Sequence, residues 1–146
     1  MNATLPPCYP ATLKPETLNL EHQTLKPPRE VTLDSKTTAK LIVDAAAEKK
    51  AANILMLDVH DLTTLTDYFV ICEGSSERQL NAITESILDE LKKAGERPYH
   101  REGTPASGWI LLDYGYVLVH IFSPERRAYY QLESLWQEAP TVMKMI

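Results

Sequence analysis

Polar and apolar positions along the chain sort into segments of distinct period. From residue 37 the run TTAKLIVDAAAEKK places Leu41, Ile42, Ala45 and Ala46 on one helical face, with Asp34 and Ser35 ahead of it as caps. ANILMLDV (52–59) is short and apolar, as a strand should be, and a second β-rich run over 65–72 ends at Gly74. SSERQLNAITESILDELKKAG then predicts a long helix, with Leu80, Ile83, Ile87, Leu88 and Leu91 at helical spacing. Ser76 and Gln79 form its capping box, and Gly95 stands just past its end. A loop over 97–108 follows, and after it GWILLDYGYVLVHIF (108–122) reads as a hairpin. Ser123 and Pro124 open a last helix with Ala128, Tyr129, Leu132, Leu135 and Trp136 on one side. The predicted order is α-β-β-α-β-β-α: an α/β fold with a small mixed sheet and helices packed mainly on one face.

The hairpin is the informative piece. With Tyr114 and Gly115 as the central turn residues, alternation gives one aliphatic set, Ile110, Leu112, Val117, Val119 and Ile121, which suits a helix-covered core. The opposite set, Trp109, Leu111, Asp113, Tyr116, Leu118, His120 and Phe122, mixes aromatics and leucines with a carboxylate and an imidazole. Such a mixture is costly to bury without polar partners and too apolar to face water. Internal covering by another helix, self-association and docking of a partner are the three ways to resolve it. With three helices predicted, and most of them needed on the aliphatic side, partner docking is the expectation.

Composition separates a leader from a body. Residues 1–33 hold six of the ten prolines, repeat Thr-Leu-Pro-Pro and Thr-Leu-Lys-Pro segments, and follow neither period, so a disordered Pro-rich leader is expected there. The folded domain is expected over 34–137, with 138–146 as a C-terminal tail. Lys14, Lys26 and Arg29 balance Glu16, Glu21 and Glu30, so the net charge of −5 lies wholly in the remainder. An acidic body is poorly placed to grip phosphate backbones and better suited to a basic protein partner. Cys8 and Cys72 form no disulfide framework, no apolar run approaches a membrane span, and the N-terminus reads as neither signal nor transit peptide, so a cytoplasmic protein is expected.

Candidate chemistry is sparse. The Gly74-Ser75 turn between strand and helix could hold a phosphate, as in nucleotidyltransferases, but the next strand offers Asp113 alone where a metal site needs paired acids. Asp58, Asp61 and Asp67 read as turn caps or partners of basic groups. The four histidines lack metal-site spacing, and Cys72 reads as packing. No cofactor, metal or catalysis is expected; a nucleotidyltransferase-like enzyme using Gly74-Ser75 and Asp113 is the alternative.

Three stretches, DLTTLTDYFVICEGSSERQLNAI (61–83), REGTPASGWILLDYGYVLVHIF (101–122) and ERRAYYQLESLW (125–136), resemble the ribosomal silencing factor, or Iojap, family. The resemblance spans roughly residues 34–137. It implies a nucleotidyltransferase-like fold without catalytic activity. It also implies binding to ribosomal protein fourteen of the large subunit, which blocks joining of the small subunit and represses translation when nutrients are scarce. On that footing Trp109, Leu111, Leu118 and His120 are expected to centre the docking face, Asp113 to meet a basic side chain, and Tyr130 with Glu133 to extend the rim. Tyr116, where family members usually carry an acid, Phe122, Arg78 and Gln79 are weaker candidates, the last two as holders of the Gly-Ser turn instead. A homodimer off the ribosome is left open.

Overall fold

The protein is described from a computed structural model at residues 34–146; the expected leader lies outside the described residues. The elements run α1 (Ser35–Glu48), β1 (Ala52–Asp58), β2 (Tyr68–Glu73), α2 (Glu77–Lys93), β3 (His100–Thr104), β4 (Trp109–Asp113), β5 (Val117–Phe122), α3 (Pro124–Tyr130), α4 (Leu132–Leu135) and β6 (Thr141–Met145). The six strands form one sheet in the order β3-β4-β5-β2-β1-β6. Only the central β2–β5 pair is parallel. The mixed α/β class read from the sequence is the one observed.

The two long helices start as their caps dictate. Asp34 Oδ1 accepts from the Thr37 N–H at 2.8 Å, and Ser76 Oγ accepts from the Gln79 N–H at 3.1 Å. Ile42, Ala45 and Ala46 of α1 and Leu80, Ile83, Ile87 and Leu91 of α2 are buried against the aliphatic hairpin set; Leu41 and Leu88 are half-buried beside them.

The hairpin's faces are as the alternation requires, but its register is not. Asp113 pairs with Leu118, Leu111 with His120 and Trp109 with Phe122, so the central turn residues are Gly115 and Tyr116 rather than Tyr114 and Gly115. Gly115, at φ +88°, supplies the positive φ that a tight hairpin needs at its first central position. This register differs from the expected one by two residues, and side chains alternate with period two, so both face sets survive the shift. Tyr116 leaves the patterned face for the exposed tip.

Three further expectations are corrected. The predicted loop over 97–108 contains β3, an edge strand whose residues are all half-buried or exposed, so its sequence shows no apolar alternation. The expected tail, 138–146, contributes β6, which pairs antiparallel with β1 at the other edge. The last helix is two short ones, broken at Gln131, whose backbone is left-handed at φ +45°. That break turns Ala128, Tyr129 and Leu135 outward, whereas Leu132 and Trp136 remain inside.

Gly103 is the tightest backbone approach in the sheet. It has φ +85°, and an added Cβ would lie 2.0 Å from the Trp109 carbonyl oxygen. Gly103→Ala is therefore expected to cost about 1–3 kcal/mol by strain and local displacement of β3, read as a lowered denaturation midpoint with an unchanged slope.

Candidate functional site: the aromatic face and its cover

Both faces of the sheet are covered. Opposite α1 and α2, the segment from Pro124 to Pro140 arcs back over Trp109, Leu111, Leu118 and Phe122, sealing them with Leu132, Trp136 and Ala139. Trp109 is 6% exposed, and Leu111, Leu118, Phe122, Asp113 and His120 are at 1% or less. The expectation that this face stands bare for a partner is thereby corrected. Three helices suffice to cover both faces because α1 and α2 alone take the aliphatic side, and the left-handed break at Gln131 gives the last helical segment a second short arm across the other.

The polar members of this face are accommodated inside. The Trp109 indole N–H donates to His120 Nδ1 at 3.2 Å. An indole can only donate, so Nδ1 is the unprotonated nitrogen and the ring is the neutral Nε2–H tautomer. Burial pushes the His120 pKa down to about 3. Phe69 meets the imidazole edge-on at 5.4 Å, and Trp136 meets Phe69 edge-on at 4.9 Å. Asp113 Oδ1 accepts from the Gly115 N–H at 2.8 Å, so this carboxylate closes the hairpin turn instead of facing a partner.

Tyr130, half-buried, lays its ring 4.3 Å from that of Trp109. Glu133, also half-buried, accepts from Arg127 Nε at 3.0 Å. Sequence reasoning missed Arg127. Its side chain is 11% exposed, and its Nη1 donates to Glu73 Oε1 at 3.3 Å and to the Asn53 carbonyl. The signal available was ERR at the start of a helix rich in aromatics, which periodicity alone reads as surface charge.

The alternative catalytic constellation does not assemble. Gly74 and Asp113 lie toward opposite ends of the central strands: Asp113 is level with Phe69 through Leu118, two strands across from β2 and five residues from Gly74, so about 16 Å away along the strand direction alone at about 3.3 Å per residue. The Ser75 N–H and hydroxyl donate to Gln79 Oε1 at 2.7 and 3.0 Å, and Gln79 Nε2 donates to the Lys49 and Lys50 carbonyls. Gln79 thus holds the turn and ties it to the end of α1, while Arg78 is exposed. Cys72 is fully buried and its thiol is pushed up to about 12 by desolvation, which fits packing. Asp58 and Asp61 pair with the exposed His60 at 2.7 and 3.0 Å, and the hydrogen bond that His60 Nδ1 donates to Asp58 raises the imidazole's pKa. Among the described residues no helix is long and apolar enough to cross a membrane.

One sheet, two long helices on one side and a short helical cover on the other define a small three-layer α/β protein. The chain belongs to the RsfS family, described as "Ribosomal silencing factor during starvation", whose model matches residues 32–145. It is 38% identical over 108 residues to the ribosomal silencing factor RsfS of Bacillus subtilis, covering 74% of this chain and 92% of that protein. The mouse protein named mitochondrial assembly of ribosomal large subunit protein 1 is 33% identical over 107 residues, covering 71% of this chain and 47% of that one. A crystal structure of a Chromobacterium violaceum protein superposes with a TM-score of 0.70 at 34% identity, covering 72% of this chain and 88% of that chain.

Proposed function

We propose that this protein acts in the cytoplasm without catalysis, binding the large ribosomal subunit through ribosomal protein fourteen and sterically blocking the small subunit. Family membership supports ribosome silencing as the activity, and the mouse relative's name supports the large subunit as the target. The acidic body suits a basic ribosomal protein.

The observation that carries the docking site is a pair of large apolar side chains left exposed on the cover, apart from Tyr116 at the hairpin tip and Met145 and Ile146 at the C-terminal end. Tyr129 is 67% exposed and Leu135 46%, both on the outer side of the helices covering the aromatic face. Tyr and Leu held in water on short, well-positioned helices are suited to anchor an interface. Tyr130 and Glu133, half-buried between them, form the rim, with Tyr116 at the hairpin tip as a further contact. Trp109, Leu111, Leu118, His120 and Phe122 serve the site from beneath by supporting the cover.

Combined Tyr129→Ala and Leu135→Ala substitution is expected to weaken co-sedimentation with purified large subunits about tenfold or more, and to restore subunit joining in a 70S-formation assay. The melting curve should stay within about 1 kcal/mol of the parent, because both side chains are exposed. Unchanged binding by the double variant would rule this ridge out.

A further inference from the structure

The ridge formed by α3 and α4 is anchored on its inner side by Leu132, by the half-buried Tyr130 ring and by Trp136 just past α4. Among its residues α3 has none buried, and α4 has only Leu132. Helices of seven and four residues are also too short to persist by propensity alone. Apolar packing, which is weakly directional, holds the cover down but leaves the orientation of two such short helices to polar ties.

Arg127 has the required geometry. Its guanidinium joins four separate pieces of chain: α3, on which it sits; α4, through Glu133 at 3.0 Å; the end of β2, through Glu73 at 3.3 Å; and β1, through the Asn53 carbonyl. The β1 end of this link is shaped for it. β1 shifts register between Ala52 and Leu55, and Asn53 adopts a left-handed φ of +49° within that irregularity. Arg126 adds a lighter tie, donating from Nε to the Ser107 carbonyl at 3.2 Å. The guanidinium's planar fork allows one side chain to serve all three acceptors, which a lysine ammonium cannot match in the same geometry.

We propose that Arg127 is the positioning residue of the docking ridge: by clasping Glu73, Glu133 and the Asn53 carbonyl together, it sets α3 and α4 in the orientation that presents Tyr129 and Leu135 to the ribosomal partner. This rests on the docking reading above for its consequence, but not for the clasp itself. Two carboxylates converge on this one guanidinium, so removing it both frees the helices and leaves Glu73 and Glu133 uncompensated. The sheet touches the clasp only at Glu73 and Asn53 and is otherwise held by its own strand pairing, and the α1–α2 layer by its apolar core, so both should keep their protection without it.

Hydrogen exchange of the full chain, paired with co-sedimentation on purified large subunits, tests this for Arg127→Gln, Arg127→Lys and Glu133→Gln. In Arg127→Gln, exchange over residues 124–137 should accelerate about tenfold or more while α2 and β5 stay protected, and subunit binding should fall at least as far. Arg127→Lys should recover part of both effects. Glu133→Gln, which keeps the Glu73 and Asn53 ties, should loosen α4 more than α3. Unchanged exchange over 124–137 in Arg127→Gln overturns the proposal, as does faster exchange there with full-strength binding. If Arg127→Gln fails to fold, Glu133→Gln decides alone: selective loosening of α4 with weaker binding supports the clasp, and parental behaviour overturns it. Failure of the unsubstituted chain to bind large subunits would instead overturn the docking reading, with the exchange data still deciding whether Arg127 positions the helices.

Discussion

Trp109→Ala is expected to cost the isolated chain about 3–5 kcal/mol of stability, with a fall in melting temperature on the order of 10–20 °C for a domain of this size. The indole is 6% exposed, packs on Phe122 at 5.0 Å and Tyr130 at 4.3 Å, and donates to His120. Truncation therefore empties a large volume beneath the cover and removes the donor to a buried imidazole. Binding to large subunits should weaken as well, but only as the cover loosens. Thermal denaturation of the isolated chain separates this from a surface role: a melt like the parent's, with binding lost, would mean that the indole faces the partner.

Acid is expected to act through His120. Its ordinary unfolded pKa is about 6.5, and burial lowers it to about 3 in the folded chain. Between these values the unfolded state binds the extra proton, so stability rises with pH in that window. His120 contributes its full share above the unfolded value and loses it as the pH falls toward 3. From pH 7 to pH 4 the loss is up to about 3 kcal/mol, taking 1.36 kcal/mol per pKa unit. His120→Gln keeps an acceptor for the Trp109 indole but cannot titrate, so its stability should fall less steeply over the same range. Urea denaturation at several pH values measures both slopes, and the difference between them isolates His120 from Asp58 and other acids. Equal slopes would contradict the assignment. His60 works in the opposite sense: its raised pKa, from the Asp58 hydrogen bond, gives a contribution present at low pH and lost as the pH rises through the folded value.

How much of this was legible in the sequence follows from what period and caps can encode. The two long helices were, because Asp34 and Ser76 cap them and their apolar stripes run for several turns. The two hairpin faces were, because alternation survives a two-residue register error. The edge strands were not. β3 buries no residue and β6 none, so neither writes an apolar alternation into the sequence; each is held by backbone pairing, β3 with the next strand, β4, and β6 with β1 far back along the chain.

The candidate site shows the same limit more sharply. Trp109, Leu111, Leu118, His120 and Phe122 were correctly grouped on one face, yet nothing local states what covers them. The covering depends on Gln131 taking a left-handed backbone, uncommon for a residue that is not glycine, and on Arg127 reaching Asn53 across 74 positions. Family resemblance, carried by motifs such as Asp67-Tyr68-Phe69 and His120-Ile121-Phe122, located the family correctly. It did not say that the aromatic motifs lie buried beneath α3 and α4 while Tyr129 and Leu135 stand exposed on the outer side.

The central claim is that the outer side of α3 and α4, and not the sheet face beneath them, meets the large subunit. Hydroxyl-radical footprinting of the full chain, alone and bound to purified large subunits, tests it at side-chain level. The account predicts that Tyr129 and Leu135 are oxidised readily in the free chain and protected in the complex, with Trp109 and Phe122 unreactive in both. Oxidation of Trp109 in the free chain and its protection on binding, with Tyr129 equally reactive in both states, would contradict it.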